Sequence, residues 1–252
     1  MSEAAFFHDL LLGMLALSAV TLAALFVITA PYGRHARAGW GPMVPSTVGW
    51  LVMEAPASLG FLAFYLAGEH RAEAAPLALL ALWQLHYVNR AFVYPFRRRG
   101  GDKPMPLAVA LLGVVFNLAN SYANARFVSH FATYAAGWLT SPRFFAGAAL
   151  FLAGFAANWH ADEVLRKLRA PGEGGYKIPH GGLYRFVSAP NYFGELVEWS
   201  GFAVAAWSPA ALVFVVWTAA NLLPRAWANH RWYRRTFPDY PTERRALVPF
   251  LF

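Results

Sequence analysis

A carboxyl group stands alone in the apolar run VGWLVMEAPASLGFLAFYL, where Glu54 is the one charged residue between positions 48 and 66. Placing a carboxylate at the centre of a hydrocarbon-spanning helix costs roughly 2.5–3.5 kcal/mol on insertion scales, so such a residue marks a functional site. A second run, LALLALWQLHYVNRAFVYPF (77–96), is interrupted by His86, Tyr87 and Arg90. On a helix, Tyr87 shares a face with Arg90 at i, i+3, and His86 shares one with Arg90 at i, i+4. Two chemistries are open. Glu54 and Arg90 can form an ion pair that locks two helices together. Alternatively, the Tyr87 phenol and the Glu54 carboxyl, which in hydrocarbon is readily protonated, form a pair of donors for a ligand carbonyl.

The second concentration of polar groups runs from Asn158 to Trp199, NWHADEVLRKLRAPGEGGYKIPHGGLYRFVSAPNYFGELVEW. Asn158, Asp162 and Arg169 fall on one helical stripe at i, i+4 and i+11. Pro171-Gly172 should end that helix, and GEGGYKIPHGG should form a loop rich in accessible backbone N–H groups. Asn191 and Glu195 repeat the i, i+4 spacing, with Pro190 suited to a first helical turn. Arg225, Asn229 and Tyr233 repeat it again near the end of the chain. Snorkelling at a helix end accounts for Lys167 and Lys177. It does not account for Asn191 and Glu195 inside an apolar run. A large anionic ligand carrying phosphates, ribose hydroxyls and an amide would use the Arg, Asn, Asp and Tyr positions together.

Several other chemistries lack support. The glycines form neither G-x-G-x-x-G after a strand nor a P-loop, so a bound nucleotide would be held without either unit. Cysteine is absent, which excludes disulfides, thiolate nucleophiles and iron–sulfur clusters. The eight histidines show no ligand spacing, and no metal site is expected. Asn117, Asn120 and Asn124 read first as interhelical hydrogen-bond partners, with lining of the same cavity as the alternative.

The elements that must position these groups are membrane helices. The chain of 252 residues is 58% hydrophobic and 13% charged, about half the charged share of a soluble domain. Windows long enough to cross about 30 Å of hydrocarbon fall at about 9–30, 47–68, 75–96, 105–125, 143–160, 192–208 and 209–228. The segment 127–139 is too short and reads as interfacial or re-entrant. The first span lacks the basic n-region of a signal peptide. The expected fold is all-α: a polytopic membrane protein with seven transmembrane helices, forming one domain over 1–252. With seven spans, 17 of the 21 Lys and Arg fall on one side and three on the other. By the positive-inside rule the N-terminus is then outside and the C-terminus cytosolic. The net charge of +8 therefore reflects topology, not binding of nucleic acid. An alanine-rich, cysteine-free chain leans toward a bacterial inner membrane over the endoplasmic reticulum.

The C-terminal residues carry a resemblance. GGLYRFVSAPNYFGELVEWSGFAVAAWS (181–208), and NHRWYRRTFPDYPTERRALVPFLF from Asn229 to the end, are similar to the steroid 5α-reductase family, most specifically in the tail F-x-DYP-x-x-R-x-AL-x-PF-x-F. N-x-H-x-D-x-x-LR-x-LR-x-PG (158–172) and LHY-x-x-R-x-FVYP (85–95) fit the same family, whereas the first 45 residues contribute only a hydrophobic span. The resemblance implies reduction of the Δ4 double bond of a 3-oxo-Δ4-steroid by NADPH. It assigns Glu54 and Tyr87 to the 3-oxo group. It assigns Asn158, Asp162, Arg169, Tyr176, Asn191, Glu195, Arg225 and Tyr233 to the NADPH-binding positions. Asn229 joins them by its spacing between Arg225 and Tyr233, and Arg169 and Arg225, with Arg98 and Arg99 as extras, are the candidate phosphate contacts. Helices before about residue 140 would form the substrate cavity and those after it the cofactor half. The implied protein is a monomer that takes its steroid from the lipid phase. The chain departs from the family pattern at Met53 and at Asn229-His230, positions that bear on steroid preference.

Two rival enzymes share part of this pattern: a membrane methyltransferase of the isoprenylcysteine type using S-adenosylmethionine, and a sterol reductase acting on another double bond. The first has no use for a Glu54–Tyr87 pair. A proton-coupled transporter would show inverted repeats and charges in both halves, and the sequence has neither.

Overall fold

The computed structural model describes residues 1–31, 33–35, 37, 39–99, 104–170 and 173–252. Pro171-Gly172, expected to stop a helix, lie outside the described residues. The chain is mostly helical. The helices are α1 (Glu3–Val27), α2 (Ser46–Leu66), α3 (Ala74–Val88), the short α4 (Tyr94–Arg97), α5 (Leu107–Arg126), α6 (Pro142–Lys167), α7 (Pro190–Ala206) and α8 (Pro209–Thr236). A two-residue antiparallel ladder, β1 (Met43–Val44) with β2 (Met105–Pro106), ties the starts of α2 and α5. Among the described residues, five helices are long and apolar enough to cross a membrane: α1, α2, α5 with its extension to Phe131, α6 and α8. α3 and α7, with 15 and 17 residues, are shorter than the roughly 20 residues a span needs.

The segment expected to be interfacial begins as part of α5. A π turn, Phe127–Phe131, continues that helix, and a 3₁₀ turn follows at Trp138–Thr140. α3 is likewise prolonged by a π turn, Asn89–Val93, into α4. Pro95, in the first turn of α4, has no N–H and its ring crowds the preceding turn. The ladder widens there, and the Tyr94 N–H bonds to the Asn89 carbonyl, five residues back.

α6 and α7 meet backbone to backbone. Gly147 and Gly154 on α6 face Ala205 and Glu198, while Gly194 and Gly201 on α7 face Asn158 and Phe151. A methyl group at any of the four would run into the opposing main chain. The seven-residue spacing of each pair keeps the glycines on one stripe, the small-residue packing that membrane helices use. Pro56 lies inside α2, and side chains of neighbouring helices bond the carbonyls around it. Asn117 Nδ2 donates to Met53 O (2.7 Å) and Trp83 Nε1 to Ala57 O (2.8 Å). Such partners let a proline sit in a membrane helix. The main core is aromatic: Phe61, Trp83, Tyr87, Phe151, Trp199, Phe202 and Phe214 come from α2, α3, α6, α7 and α8.

Candidate active site

The close α6–α7 contact brings the first polar stripe together. Asn158 Nδ2 donates to the Asn191 carbonyl (2.9 Å), and Asn191 Nδ2 donates to Asp162 Oδ1 (3.0 Å). Arg90, delivered by the π turn after α3, donates from Nη1 to the other carboxylate oxygen of Asp162 at 3.4 Å. Its guanidinium lies 4.6 Å from the ring centres of both Trp50 and Tyr94. Arg90 thus ties α3 to α6, and the ion pair with Glu54 is not made among the described residues. Tyr87 remains in α3 and turns into the core, packed on Trp83 (5.0 Å), His86 (4.9 Å) and Trp199 (5.5 Å).

Asp162 and Arg90 form part of the wall of a cleft holding about 1670 Å³ of space, part of it open to solvent. Among the described residues, eight arginines line it against two carboxylates, Asp162 and Glu163, and its field favours an anion. Glu163 is itself engaged, accepting from Arg97 Nη2 (3.0 Å) and Arg166 Nε (2.8 Å). Arg225 donates to Asn221 Oδ1 (2.9 Å) and to the Tyr192 hydroxyl (3.0 Å). The Arg169 guanidinium lies 5.4 Å from the Tyr176 ring centre. Tyr184, buried in the wall, has its phenol pushed well above the usual value by burial, so it is a neutral donor.

Of the nine expected cofactor residues, Asp162, Arg169, Tyr176, Asn191, Arg225, Asn229 and Tyr233 line this cleft, as do Arg98 and Arg99. Asn158 stands behind the wall and holds Asn191. Glu195 also lies off the wall; its charge acts on Arg90 and Asp162 and also on Glu54 and Tyr87. Glu54 and Tyr87 are outside the cleft. Of the charged groups that act on the Tyr87 phenol, Glu54 acts most strongly, ahead of Glu195 and Glu198. Glu54 Oε2 accepts from Asn117 Nδ2 at 3.4 Å. The asparagine therefore does more than join helices.

Three groups were missed from sequence. Arg34 and His35, in the segment after α1, line the cleft. His35 Nε2 lies 3.1 Å from Asn229 Oδ1. Burial is the largest influence on His35 and holds its imidazole below the usual value; Arg34, Arg225 and Arg37 act the same way, and the Asn229 bond opposes them. The third is Glu198, fully buried, which meets His86 Nδ1 at 2.9 Å. Its spacing of i+3 from Glu195 inside an apolar run was the available signal.

A family model described as 3-oxo-5-alpha-steroid 4-dehydrogenase matches residues 103–252. The chain is 46% identical over 240 residues to 3-oxo-5-alpha-steroid 4-dehydrogenase 1 of Bos taurus, covering 94% of this chain and 93% of the relative. It is 45% identical over 224 residues to the Homo sapiens protein of the same name, covering 88% and 86%. It is 41% identical over 258 residues to Steroid 5-alpha-reductase DET2 of Gossypium hirsutum, covering 100% and 99%. These relatives are eukaryotic, so they lend no support to the bacterial inner membrane that composition suggested; what stands is a multi-pass membrane protein. With the helices, the basic cleft and the matched sequence taken together, the chain belongs to the 3-oxo-5-alpha-steroid 4-dehydrogenase family.

Proposed function

We propose that this protein reduces the Δ4 double bond of 3-oxo-Δ4-steroids to 5α-3-oxosteroids using NADPH, with hydride added at C5 and a proton at C4. The observation that carries the reading is the presence of two unlike sites that the charges of Arg90 and Glu195 both act on. One is a cleft rich in arginine, and the other is a Glu54–Tyr87 pair within apolar helices. Family membership supports reduction over methyl transfer.

The donor set suits a dinucleotide phosphate. Arg169 and Arg225 would take phosphate oxygens, since a guanidinium fork matches them geometrically and electrically. Asn191 and Asp162 would face the ribose and amide groups, with Asn158 holding Asn191 in place, Tyr176 and Tyr233 offering ring faces, Asn229 lining the cleft beside them, and Glu195 acting from behind the wall through Arg90. Bound NADPH supplies the hydride.

The rest of the chemistry belongs to Glu54 and Tyr87. Donation from the phenol and from the protonated carboxyl to the 3-oxo oxygen polarises the enone and makes C5 electrophilic. Negative charge that develops on the oxygen meets donors already in place, usually the largest single contribution to such catalysis. Asn117 restrains Glu54, and the aromatic core restrains Tyr87. A steroid partitions into lipid, which suits an acceptor site between membrane helices. We further propose seven crossings, with α3–α4 and α7 completing the five longer spans, the N-terminus outside and the cleft cytosolic. The basic residues around the cleft support that orientation.

Purified protein given NADPH and testosterone or progesterone should oxidise the cofactor and yield the 5α-reduced steroid. Glu54→Gln and Tyr87→Phe should each lower kcat by roughly 10²–10³, the scale for losing one such donor. Unchanged turnover in both variants would remove the pair from the mechanism. Methyl transfer from S-adenosylmethionine without NADPH oxidation would remove the reductase reading itself.

A further inference from the structure

The segment before α7 serves two sites. Its 3₁₀ turn, Gly182–Arg185, and the residues after it give Tyr184 and Ser188 to the cleft. Arg185 and Phe186 go instead to a second recess, which His180, Glu243, Arg244 and Phe250 also line. Backbone bonds join the segment to the tail. The Arg245 N–H donates to the Phe186 carbonyl (2.9 Å), and the Ser188 N–H donates to the Arg245 carbonyl (2.9 Å). The reaction proposed above makes no use of this recess.

The recess holds a stranded cation. Arg244 is 4% exposed. Its Nη1 donates to the Pro179 carbonyl (3.0 Å), and its Nη2 lies 3.4 Å from His180 Nδ1. Its guanidinium lies 5.2 Å from the Tyr240 ring centre. These partners are uncharged, and Nε is buried with no hydrogen-bond partner among the described residues. A buried charge without a counter-charge is unfavourable unless an anion completes the site. Arg185 is exposed beside it and adds a second cation. Because His180 Nδ1 accepts from Arg244, its proton sits on Nε2 and supplies a further donor. Glu243, the one carboxylate among the described lining residues, is exposed.

Beside these groups the surface is apolar. Phe250 is 74% exposed and Leu251 82%, and the Phe186 and Phe250 ring centres lie 5.4 Å apart. Phe250 has φ 67°, a left-handed conformation rare for a residue with a bulky side chain. The Leu247 and Val248 N–H groups close the turn by donating to the Phe252 oxygen (2.6 and 2.7 Å). Phe252 packs on Trp227 of α8 at 5.9 Å. The tail is thus anchored to a membrane-crossing helix and holds two apolar side chains outward next to a basic recess. A lipid–water interface offers both environments, phosphate for arginine and hydrocarbon for the ring.

We propose that this recess binds the headgroup phosphate of an anionic phospholipid, held by Arg185, Arg244 and His180, with Phe250 and Leu251 set among the acyl chains. The site requires only that the chain spans a membrane, not the reaction proposed above. A soluble phosphate ester carries the same anion but would leave Phe250 and Leu251 in water.

The test titrates protein purified in detergent with dioctanoyl phosphatidylglycerol, dioctanoyl phosphatidylcholine and glycerol phosphate. Native mass spectrometry counts bound ligand, and thermal unfolding follows stability. Phosphatidylglycerol should bind more tightly than phosphatidylcholine and raise Tm further, and glycerol phosphate should do neither. Arg185→Gln should weaken phosphatidylglycerol roughly 5-fold, the value of about 1 kcal/mol for one basic residue near an anionic lipid, and leave phosphatidylcholine unchanged. Phe250→Gly removes the ring and suits the backbone, so the protein should stay folded in detergent while both lipids bind several-fold more weakly. Equal binding of the two lipids by wild-type protein would overturn the proposal, as would a preference left intact in Arg185→Gln. Glycerol phosphate bound as tightly as phosphatidylglycerol, or lipid binding unchanged in Phe250→Gly, would overturn it too, because the recess would then serve a soluble anion.

Discussion

Arg90 and Asp162 join α3 to α6 across 3.4 Å, with side chains only 11% and 12% exposed. This ion pair takes the arginine that spacing alone offered to Glu54. Asp162 has its second oxygen on Asn191, and Arg90 lies on two aromatic faces. The pair therefore fixes part of the cleft wall.

Breaking the pair should be worse than removing it. Arg90→Met leaves a buried carboxylate with one amide partner, a situation that costs about 3–5 kcal/mol. Thermal unfolding in detergent should show a clear drop in Tm. Adding Asp162→Asn should recover part of the loss, because no charge is then stranded. Strictly additive losses would mean the two groups are not coupled.

The α6–α7 contact should tolerate no methyl group. Gly154→Ala and Gly201→Ala force the helices apart and should each lose about 1–3 kcal/mol, the usual cost of overpacking. They should also slacken Asn191, whose partners Asn158 and Asp162 are on α6. Gly13 faces open space on α1. Gly13→Ala should therefore be neutral or slightly stabilising in the same thermal assay.

What sequence made visible follows from how local each signal is. Hydropathy is a property of a window, so helix bounds such as 47–68 and 143–160 fall near α2 and α6. Polar stripes at i, i+4 are likewise local, and seven of the nine residues chosen on stripes or resemblance share one cleft. Packing between distant segments is not local. His35 and Asn229 are 194 residues apart and His86 and Glu198 are 112 apart, and neither pair leaves a periodic trace. The π turn at Asn89–Val93 also escaped. Ideal α-helical spacing put Tyr87 and Arg90 on one face, yet one enters the core and the other the cleft. Pro95 was the available clue, since a proline inside an apolar run must disturb the turn before it.

Acid should loosen the segment after α1. His35 is held below its ordinary value, chiefly by burial, so the unfolded chain takes up a proton before the folded one does. Stability contributed by neutral His35 is present above the unfolded imidazole value, about 6.5, and is lost as pH falls below it. Thermal unfolding measured from pH 7.5 down to 5.5 should show this loss, and His35→Gln should flatten that part of the profile. An identical profile in the variant would assign the acid sensitivity elsewhere.

Glu198 should influence turnover without touching the cofactor cleft. It is fully buried, one oxygen meets His86 Nδ1 at 2.9 Å, and the other has no partner among the described residues. His86 and the neighbouring Trp199 press on the Tyr87 ring at 4.9 and 5.5 Å, so Glu198 sets the support of the phenol proposed to hold the 3-oxo group. In Glu198→Leu, His86 loses its partner and Tyr87 its fixed position. A misplacement of about 1 Å can cost 10²-fold in rate, so kcat should fall roughly 10- to 100-fold with KM for NADPH unchanged. Glu198→Gln keeps an acceptor for His86 and should recover most of the rate. A parallel rise in KM for NADPH would mean that Glu198 acts through the α6–α7 contact and the cleft instead of through Tyr87.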